Sequence, residues 1–191
     1  MALSPRTSAT DPIRVDWLPP ALPGRVGLTL APGKRAPSAL AERPWQRDLG
    51  ADLDRLTEAY GVTVVVCLME DHELQACGIS GLEAAVRERG MDFLRLPIPD
   101  GGIPADPAAV RSLVAAVVRR LRGGAQVAIH CRGGLGRTGT IAGVVLRTLG
   151  YGLEETLATL RAARGPSCPE TAEQVAYIAR YPIDTGEPHH G

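Results

Sequence analysis

The chain has 191 residues, of which 45% are hydrophobic and 22% are charged. This length and composition predict one globular domain with a sizeable core, and they argue against an integral membrane protein. Lysine plus arginine number 21, as do aspartate plus glutamate, so the net charge predicts neither nucleic acid nor an anionic membrane as a partner.

The chain divides by composition into three parts. Residues 1–24 are rich in proline and lack the apolar run of a signal peptide, so we expect an arm that lies on the domain or is partly disordered. Residues 25–182 are expected to form a single domain, and residues 183–191 a frayed tail. The four cysteines follow no disulfide or zinc pattern, which favours a reducing, cytoplasmic location.

Strand and helix patterns alternate through the domain. Val26 to Leu30 predicts a short edge strand, and the β-branched run Val62 to Leu68 predicts a strand buried on both faces. Two more strands are predicted over 92–96 and 126–130, and helices over 48–60, 80–89, 107–121, 137–149, 153–163 and 170–180. This order predicts an α/β domain with a central, mostly parallel sheet of four to five strands flanked by helices on both faces.

A glycine-rich loop links the strand 126–130 to the next helix. Gly133, Gly134 and Gly136 allow conformations that turn backbone N–H groups inward, and the helix start adds the positive end of its dipole. Such a nest suits a tetrahedral dianion, and Arg137 can bind two of its oxygens. Cys131 lies at the base of the nest, where cysteines have a pKa of roughly 3.5–7.5, against about 8.5 for a free thiol.

Two other interpretations of this loop are weaker. A nucleotide-binding P-loop ends in Gly-Lys-Ser/Thr, whereas this loop ends in Gly136-Arg137-Thr138. A buried, inert cysteine would not need glycines and an arginine at a strand-to-helix junction.

The segment from His130 to Gly139, HCRGGLGRTG, resembles the His-Cys-x5-Arg-Ser/Thr-Gly signature of protein tyrosine and dual-specificity phosphatases. The resemblance implies the phosphotyrosine-phosphatase fold, a phosphorylated protein as substrate, an oxyanion such as phosphate, sulfate or vanadate in the site, and no cofactor or metal. It implies that Cys131 forms a phosphocysteine and that Thr138 hydrogen-bonds its sulfur. His130 would orient the loop, or would simply fill space. Arg137 would stabilise the transition state. The residues expected to bind the substrate are Arg132, Gly133, Gly134, Leu135, Gly136, Arg137 and Gln174.

The loop from Ile98 to Pro104 is similar to the Trp-Pro-Asp-x-Gly-x-Pro loop of the same superfamily, with isoleucine in place of tryptophan. The resemblance implies that Asp100 protonates the leaving group and then activates water; a simple turn role is the alternative. Asp106 is the reserve acid, although its sequence context predicts a helix cap.

Short motifs spread over residues 25–181 resemble those of the cyclin-dependent kinase inhibitor 3 group, the kinase-associated phosphatases. These motifs are Gly27-Leu28-Thr29, Pro32-Gly33, Glu73-Leu74 after the Cys67 strand, Pro97-Ile98, Asp100-Gly101-Gly102, Leu160-Arg161 and Arg164-Gly165. Pro169 to Gln174 resembles the Pro-Gln-Thr-x-x-Gln loop of related phosphatases, with Glu170 in place of the first glutamine. Gln174 would therefore position the hydrolytic water, or would be an ordinary helical residue. The resemblance also suggests a reversible disulfide between Cys67 and Cys131, with core packing of Cys67 as the alternative.

The sequence leaves several substrate classes open. No Lys-Asn-Arg-Tyr loop of the deep-pocket tyrosine phosphatases is present, which favours a shallow site for phosphotyrosine and phosphoserine/threonine. Gly134 and Leu135 stand where phosphoinositide phosphatases have lysines, which disfavours a polyanionic lipid. The alternatives are a phospho-binding pseudo-phosphatase and an enzyme for a small phosphate ester or an RNA 5′ end.

Overall fold

The computed structural model describes residues 4–36 and 43–182, so the predicted tail 183–191 lies outside it. Within these residues the strands are β1 (Asp16–Trp17), β2 (Arg25–Thr29), β3 (Arg35–Ala36), β4 (Trp45–Gln46), β5 (Val64–Cys67), β6 (Asp92–Arg95) and β7 (Gln126–His130). The helices are α1 (Leu49–Glu58), α2 (Asp71–Ala76), α3 (Leu82–Glu88), α4 (Pro107–Arg122), α5 (Gly136–Thr148), α6 (Leu153–Arg164) and α7 (Ala172–Arg180). None of these helices is long and apolar enough to cross a membrane.

A five-stranded sheet in the order β1-β2-β7-β5-β6 forms the centre of the fold. Every pair in it is parallel except β1 with β2, which confirms the predicted α/β class. His130 stands beside both Thr29 and Cys67 in the register. The carboxyl ends of three strands therefore meet where Cys131 begins its loop, the position at which α/β sheets bind ligands.

The prediction of an edge strand at Val26 to Leu30 was wrong. The strand β2 is interior, because the short strand β1 pairs with its outer side and Asp16 stands opposite Leu28. The segment before β2 also contributes to the core through Ile13, Val15 and Leu18, which are all buried. Proline restricts the backbone of this segment and prevents a helix, but it does not prevent the apolar side chains between the prolines from packing on the sheet.

Two hydrophobic cores lie on opposite faces of the sheet. Val64 and Val66 of β5 pack with the core under helices α4 to α7, whereas Val65 and Cys67 pack with the core under α1 to α3. Successive side chains of a strand point to opposite faces, so a strand between two helical layers must be apolar throughout. This is why the run Val62 to Leu68 has no polar alternation.

All six predicted helices are confirmed within a few residues, and Asp106 caps α4 by accepting N–H bonds from Ala108 and Ala109. The helix α2 was missed. With only six residues it is too short to show an apolar period, and it is held by a capping box in which the Glu73 side chain accepts the N–H of Glu70.

A buried ion pair anchors the turn after β2. The side chains of Arg47 and Asp52 are each 1% exposed and form two hydrogen bonds of 2.7 Å. Asp52 also accepts the N–H of Gly33 at 2.8 Å. The pair therefore joins helix α1 to the turn that leads from β2 to β3.

We expect Asp52→Ala to lower the free energy of unfolding by about 3–5 kcal/mol, because it leaves the buried guanidinium of Arg47 unpaired. Urea unfolding followed by circular dichroism would measure this. The matched control is Asp54→Ala, which removes the exposed partner of Arg89 and should cost at most about 1 kcal/mol. Equal losses in the two variants would contradict the structural role of the buried pair.

Candidate active site

The loop from Cys131 to Arg137 connects β7 to α5. Cys131 is 3% exposed, and its sulfur accepts the N–H of Gly134 at 3.2 Å. Gly134 has φ +74°, and a Cβ there would collide with the carbonyl of Thr29. Glycine is therefore required at this position both by its backbone conformation and by the close approach of β2.

The outer side of the loop is braced by Arg164 of α6. Its Nε donates to the carbonyl of Gly134 and its Nη2 to that of Gly133, both at 2.9 Å. Arg164 also forms an ion pair with Asp16 of β1. Because a peptide group is planar and trans, fixing the Gly133 carbonyl outward turns the N–H of Gly134 inward, toward the sulfur of Cys131.

The predicted phosphate-binding arginine is buried and held by carboxylates. The side chain of Arg137 is 1% exposed. Its Nη1 and Nη2 donate to the two carboxylate oxygens of Glu73 at 2.6 and 2.8 Å. Nη1 also donates to the carbonyl of Ile98 at 2.9 Å. Burial opposes the charge on Arg137, but the hydrogen bonds that Arg137 donates to Glu73 outweigh this effect and raise the pKa of Arg137, so it stays a cation.

Asp100, the predicted acid, lies at the same cluster. Its carboxylate accepts from Nη2 of Arg137 at 2.8 Å, and its side chain is 60% exposed. The predicted acid loop and the cysteine loop therefore meet through one guanidinium. The reserve residue Asp106 instead caps α4.

His130 and Thr138 both lie in the interior behind the loop. The Nδ1 atom of His130 is 3.3 Å from the carbonyl oxygen of Cys131, a contact that suits orienting the loop. Burial lowers the pKa of His130 to about 4, so the ring is neutral near pH 7. The Thr138 hydroxyl is buried with no hydrogen-bond partner among the residues described. Its bond to the sulfur therefore stays a prediction.

The residues predicted to bind the substrate differ in exposure. Arg132 and Gly133 are exposed, Leu135 is half-buried, and Gly134 and Gly136 are buried. The loop thus has an open rim at its first residues and a closed base toward helix α5.

The segment before α7 closes the other side of the loop. Glu170 accepts the N–H of Gly136 at 2.9 Å. Gln174 is buried, and its side-chain oxygen accepts the N–H groups of Glu170 and Thr171 at 3.1 and 3.2 Å. Its Nε2 donates to the carbonyl of Gly102 at 3.1 Å. Gln174 therefore links the acid loop to α7, and its role toward water stays a prediction.

Comparison with known proteins agrees with this arrangement. The model of a family described as "Swiss Army Knife protein, DSP-PTPase phosphatase domain" matches residues 36–181. The chain belongs to this phosphatase family. It is a phosphoric monoester hydrolase, and the predicted superfamily is confirmed.

The relatives of this DSP-PTPase domain also support the predicted subgroup. The cyclin-dependent kinase inhibitor 3 of Rattus norvegicus is 26% identical over 179 residues, 93% of this chain and 82% of that protein. A solved kinase associated phosphatase, with its catalytic-site cysteine substituted by serine, has a TM-score of 0.77 at 24% identity, covering 87% of this chain and 92% of that one. A solved structure of Tk-PTP in the active form has a TM-score of 0.63 at 31% identity and covers 81% and 89%.

The other cysteines of the phosphatase domain are reduced and buried. Cys67 stands beside His130 in the sheet, and burial raises the pKa of Cys67 to about 11. Burial likewise raises the pKa of Cys168 to about 12. The disulfide between Cys67 and Cys131 stays a prediction. In the described part of the chain, no group of three or more His, Cys, Asp or Glu side chains could hold a metal ion.

Three residues of the site were not singled out for a role from the sequence: Glu73, Arg164 and Glu170. Glu73 and Arg164 are ordinary charged residues of helices, and only folding brings them to the loop. Glu170 had a usable signal, since it interrupts a family pattern at a known place. Each acts on the loop from a different element, which no local motif can reveal.

We expect Glu170→Gln to lower the inhibition constant of inorganic phosphate by about three- to tenfold, because the carboxylate on the N–H of Gly136 competes with and repels a bound oxyanion. The constant is measured by competition against an aryl phosphate. Glu173→Gln is the matched control, since Glu173 is exposed on the first turn of the same helix. An unchanged or higher constant in the Glu170 variant alone would contradict this role.

Proposed function

We propose that this phosphatase hydrolyses phosphotyrosine and/or phosphoserine/phosphothreonine of protein substrates through a phosphocysteine on Cys131. The observation that carries the proposal is the cluster formed by the Cys131 sulfur within its N–H nest, the Arg137 guanidinium and the Asp100 carboxylate. A protein that only binds phosphate needs the first two groups, whereas a carboxylate on a loop beside them serves proton transfer.

Arg137 has room for a phosphate only if Asp100 moves. A guanidinium has five N–H donors, four of them on Nη1 and Nη2, and these four already have acceptors in Glu73, Ile98 and Asp100. Nε remains. A phosphate that takes Nε and Nη2 in a bidentate contact displaces the Asp100 carboxylate, which then faces the ester oxygen of the substrate.

In the first step the Cys131 thiolate attacks phosphorus, the P–S bond forms and the P–O ester bond breaks. Asp100, which takes up a proton once it has left Arg137, gives that proton to the leaving oxygen, so the alcohol or phenol departs neutral. The inward N–H groups of the nest and Arg137 stabilise the charge on the three equatorial oxygens.

In the second step water attacks the phosphocysteine. Asp100, now ionised, takes a proton from the water, the P–S bond breaks, and Cys131 leaves as a thiolate with inorganic phosphate as product. Gln174 connects the Asp100 loop to the segment of Glu170, which keeps these groups together through both steps.

The substrate class rests on relatives and on the shape of the rim. The names of the matched relatives associate those proteins with kinases. In this chain the rim residues Arg132 and Gly133 are exposed, and Asp100 is more than half exposed. An open rim of this kind admits a phosphorylated side chain that is still attached to a polypeptide.

Cys131→Ser should abolish turnover of an aryl phosphate while keeping the binding of vanadate or phosphate, because serine preserves the nest but is a far weaker nucleophile at neutral pH. Turnover of the aryl phosphate tests the loss of activity, and isothermal titration with vanadate tests whether oxyanion binding is kept. Cys77→Ser is the control for loss of a buried thiol. Residual turnover near that of the unaltered protein would refute the covalent mechanism, and turnover absent from the unaltered protein would favour a phospho-binding module.

Asp100→Ala should reduce kcat by about 10²–10⁴-fold, with the largest loss for substrates whose leaving groups are poor. A series of aryl phosphates with increasing leaving-group pKa measures this dependence. Asp106→Ala serves as the control, because it removes only the α4 cap and should leave kcat intact. Similar losses in both variants, or none in Asp100→Ala, would overturn the acid assignment.

A further inference from the structure

Lys34, the only lysine of the chain, lies beside the catalytic loop. It belongs to the turn between β2 and β3, where its N–H donates to the carbonyl of Ala31 at 3.4 Å, and the N–H of Ala31 donates to the carbonyl of Arg132 at 3.5 Å. The turn is anchored below by the contact of Gly33 with Asp52. Its backbone therefore borders the open rim of the loop at Arg132.

Most of the Lys34 side chain is buried, and no carboxylate of the described residues pairs with it. Lys34 is 9% exposed, and its Nζ lies 4.8 Å from the ring centroid of Trp45. The same ring also faces the guanidinium groups of Arg6 and Arg47. Three cations therefore share one aromatic ring, which is too little to compensate the charge of Lys34. Among residues 4–36 and 43–182, no carboxylate lies within 4 Å of Lys34 or of Arg132. Lysines are rarely this buried unless they are paired.

The charge of Lys34 interacts with the site itself. Burial and the nearby Arg132 lower the pKa of Lys34, whereas negative charge on Cys77, Cys131 and Asp100 raises it. These influences agree with the backbone contacts that bring the turn of Lys34 to Arg132. An anion placed between Lys34 and Arg132 would relieve the repulsion between these two cations.

The guanidinium of Arg137 is already paired with carboxylates, those of Glu73 and Asp100. In the proposed mechanism Arg137 binds the phosphoryl group that enters the nest. A second negative group on the same substrate is then left with Lys34 and Arg132 as its nearby cations. The loop carries no lysine of its own at Gly134 or Leu135, but the turn after β2 supplies one from outside the motif.

We propose that Lys34 and Arg132 form a second anion subsite, which selects protein segments carrying another phosphate close to the phosphate that is removed. The inference rests on the proposed phosphatase mechanism and adds its substrate class. We commit to a polypeptide source because Arg132 and Asp100 are exposed at an open rim. The contact of the Lys34 ammonium with the Trp45 ring holds this cation in place, so the subsite is preorganised.

The test compares two synthetic peptides that differ only in a second phosphoresidue next to the first. In the unaltered protein, kcat/KM should be about 10- to 100-fold higher for the doubly phosphorylated peptide, and higher salt should reduce this preference. Lys34→Met and Arg132→Gln should each lower the preference about tenfold. Lys34→Arg should retain most of it. Because the preference is a ratio within one variant, a reduced folded fraction cancels.

Arg122→Gln is the matched control, since Arg122 is an exposed arginine in the last turn of α4 and its loss should leave the ratio unchanged. A ratio near one in the unaltered protein, with Cys131-dependent hydrolysis of the singly phosphorylated peptide intact, overturns the subsite alone. Absence of any Cys131-dependent hydrolysis instead refutes the proposed function. A parallel pair of small mono- and bisphosphate esters distinguishes the sources: a Lys34-dependent preference seen only there overturns the polypeptide assignment.

Discussion

The hydrogen-bonded ion pair between Arg137 and Glu73 is the interaction on which the site depends. Both groups are buried, and each would be costly to bury alone. The burial of Glu73 works against its charge, but the hydrogen bonds from Arg137 and Glu70 outweigh this and lower its pKa. Because Arg137 opens α5 and Glu73 lies on α2, the pair also clamps two opposite layers of helices across the carboxyl ends of the strands.

The guanidinium of Arg137 also contacts the loop that carries Asp100. It donates to the Ile98 carbonyl from Nη1 and to the Asp100 carboxylate from Nη2. The position of the Asp100 loop is therefore linked to the contacts that Arg137 makes. This arrangement gives a simple reason for the order of events in the proposed mechanism. In that mechanism phosphate and Asp100 compete for one donor, and binding of the phosphate releases Asp100.

Preorganisation of the N–H nest comes from outside the motif. Arg164 binds the outward carbonyls of Gly133 and Gly134, and Asp16 holds Arg164 in turn. An N–H nest is useful only when its dipoles are already aimed at the anion. The proline-rich segment before β2 therefore contributes to the site, since it supplies Asp16.

Glu170 gives the nest an acidic neighbour. Its carboxylate lies on the N–H of Gly136, where a neutral glutamine stands in the pattern that the sequence resembles. With Glu73, Asp100 and Glu170 around the loop, and Arg132 exposed at its rim, the site carries strong local charges in a chain whose formal net charge is zero. Net charge is thus a poor guide to what this protein binds.

The amino-acid sequence by itself determined the strand-loop-helix at Cys131, the acid loop at Asp100 and the alternation of strands and helices. These features depend on residues close together in the chain, such as glycines that allow inward N–H groups and β-branched runs that favour buried strands. The tertiary structure alone decided the interior position of β2 and the partners Glu73, Arg164 and Lys34. The contacts of Glu73 and Arg164 join residues 30 to 148 positions apart, and their energies depend on burial, which local sequence does not encode.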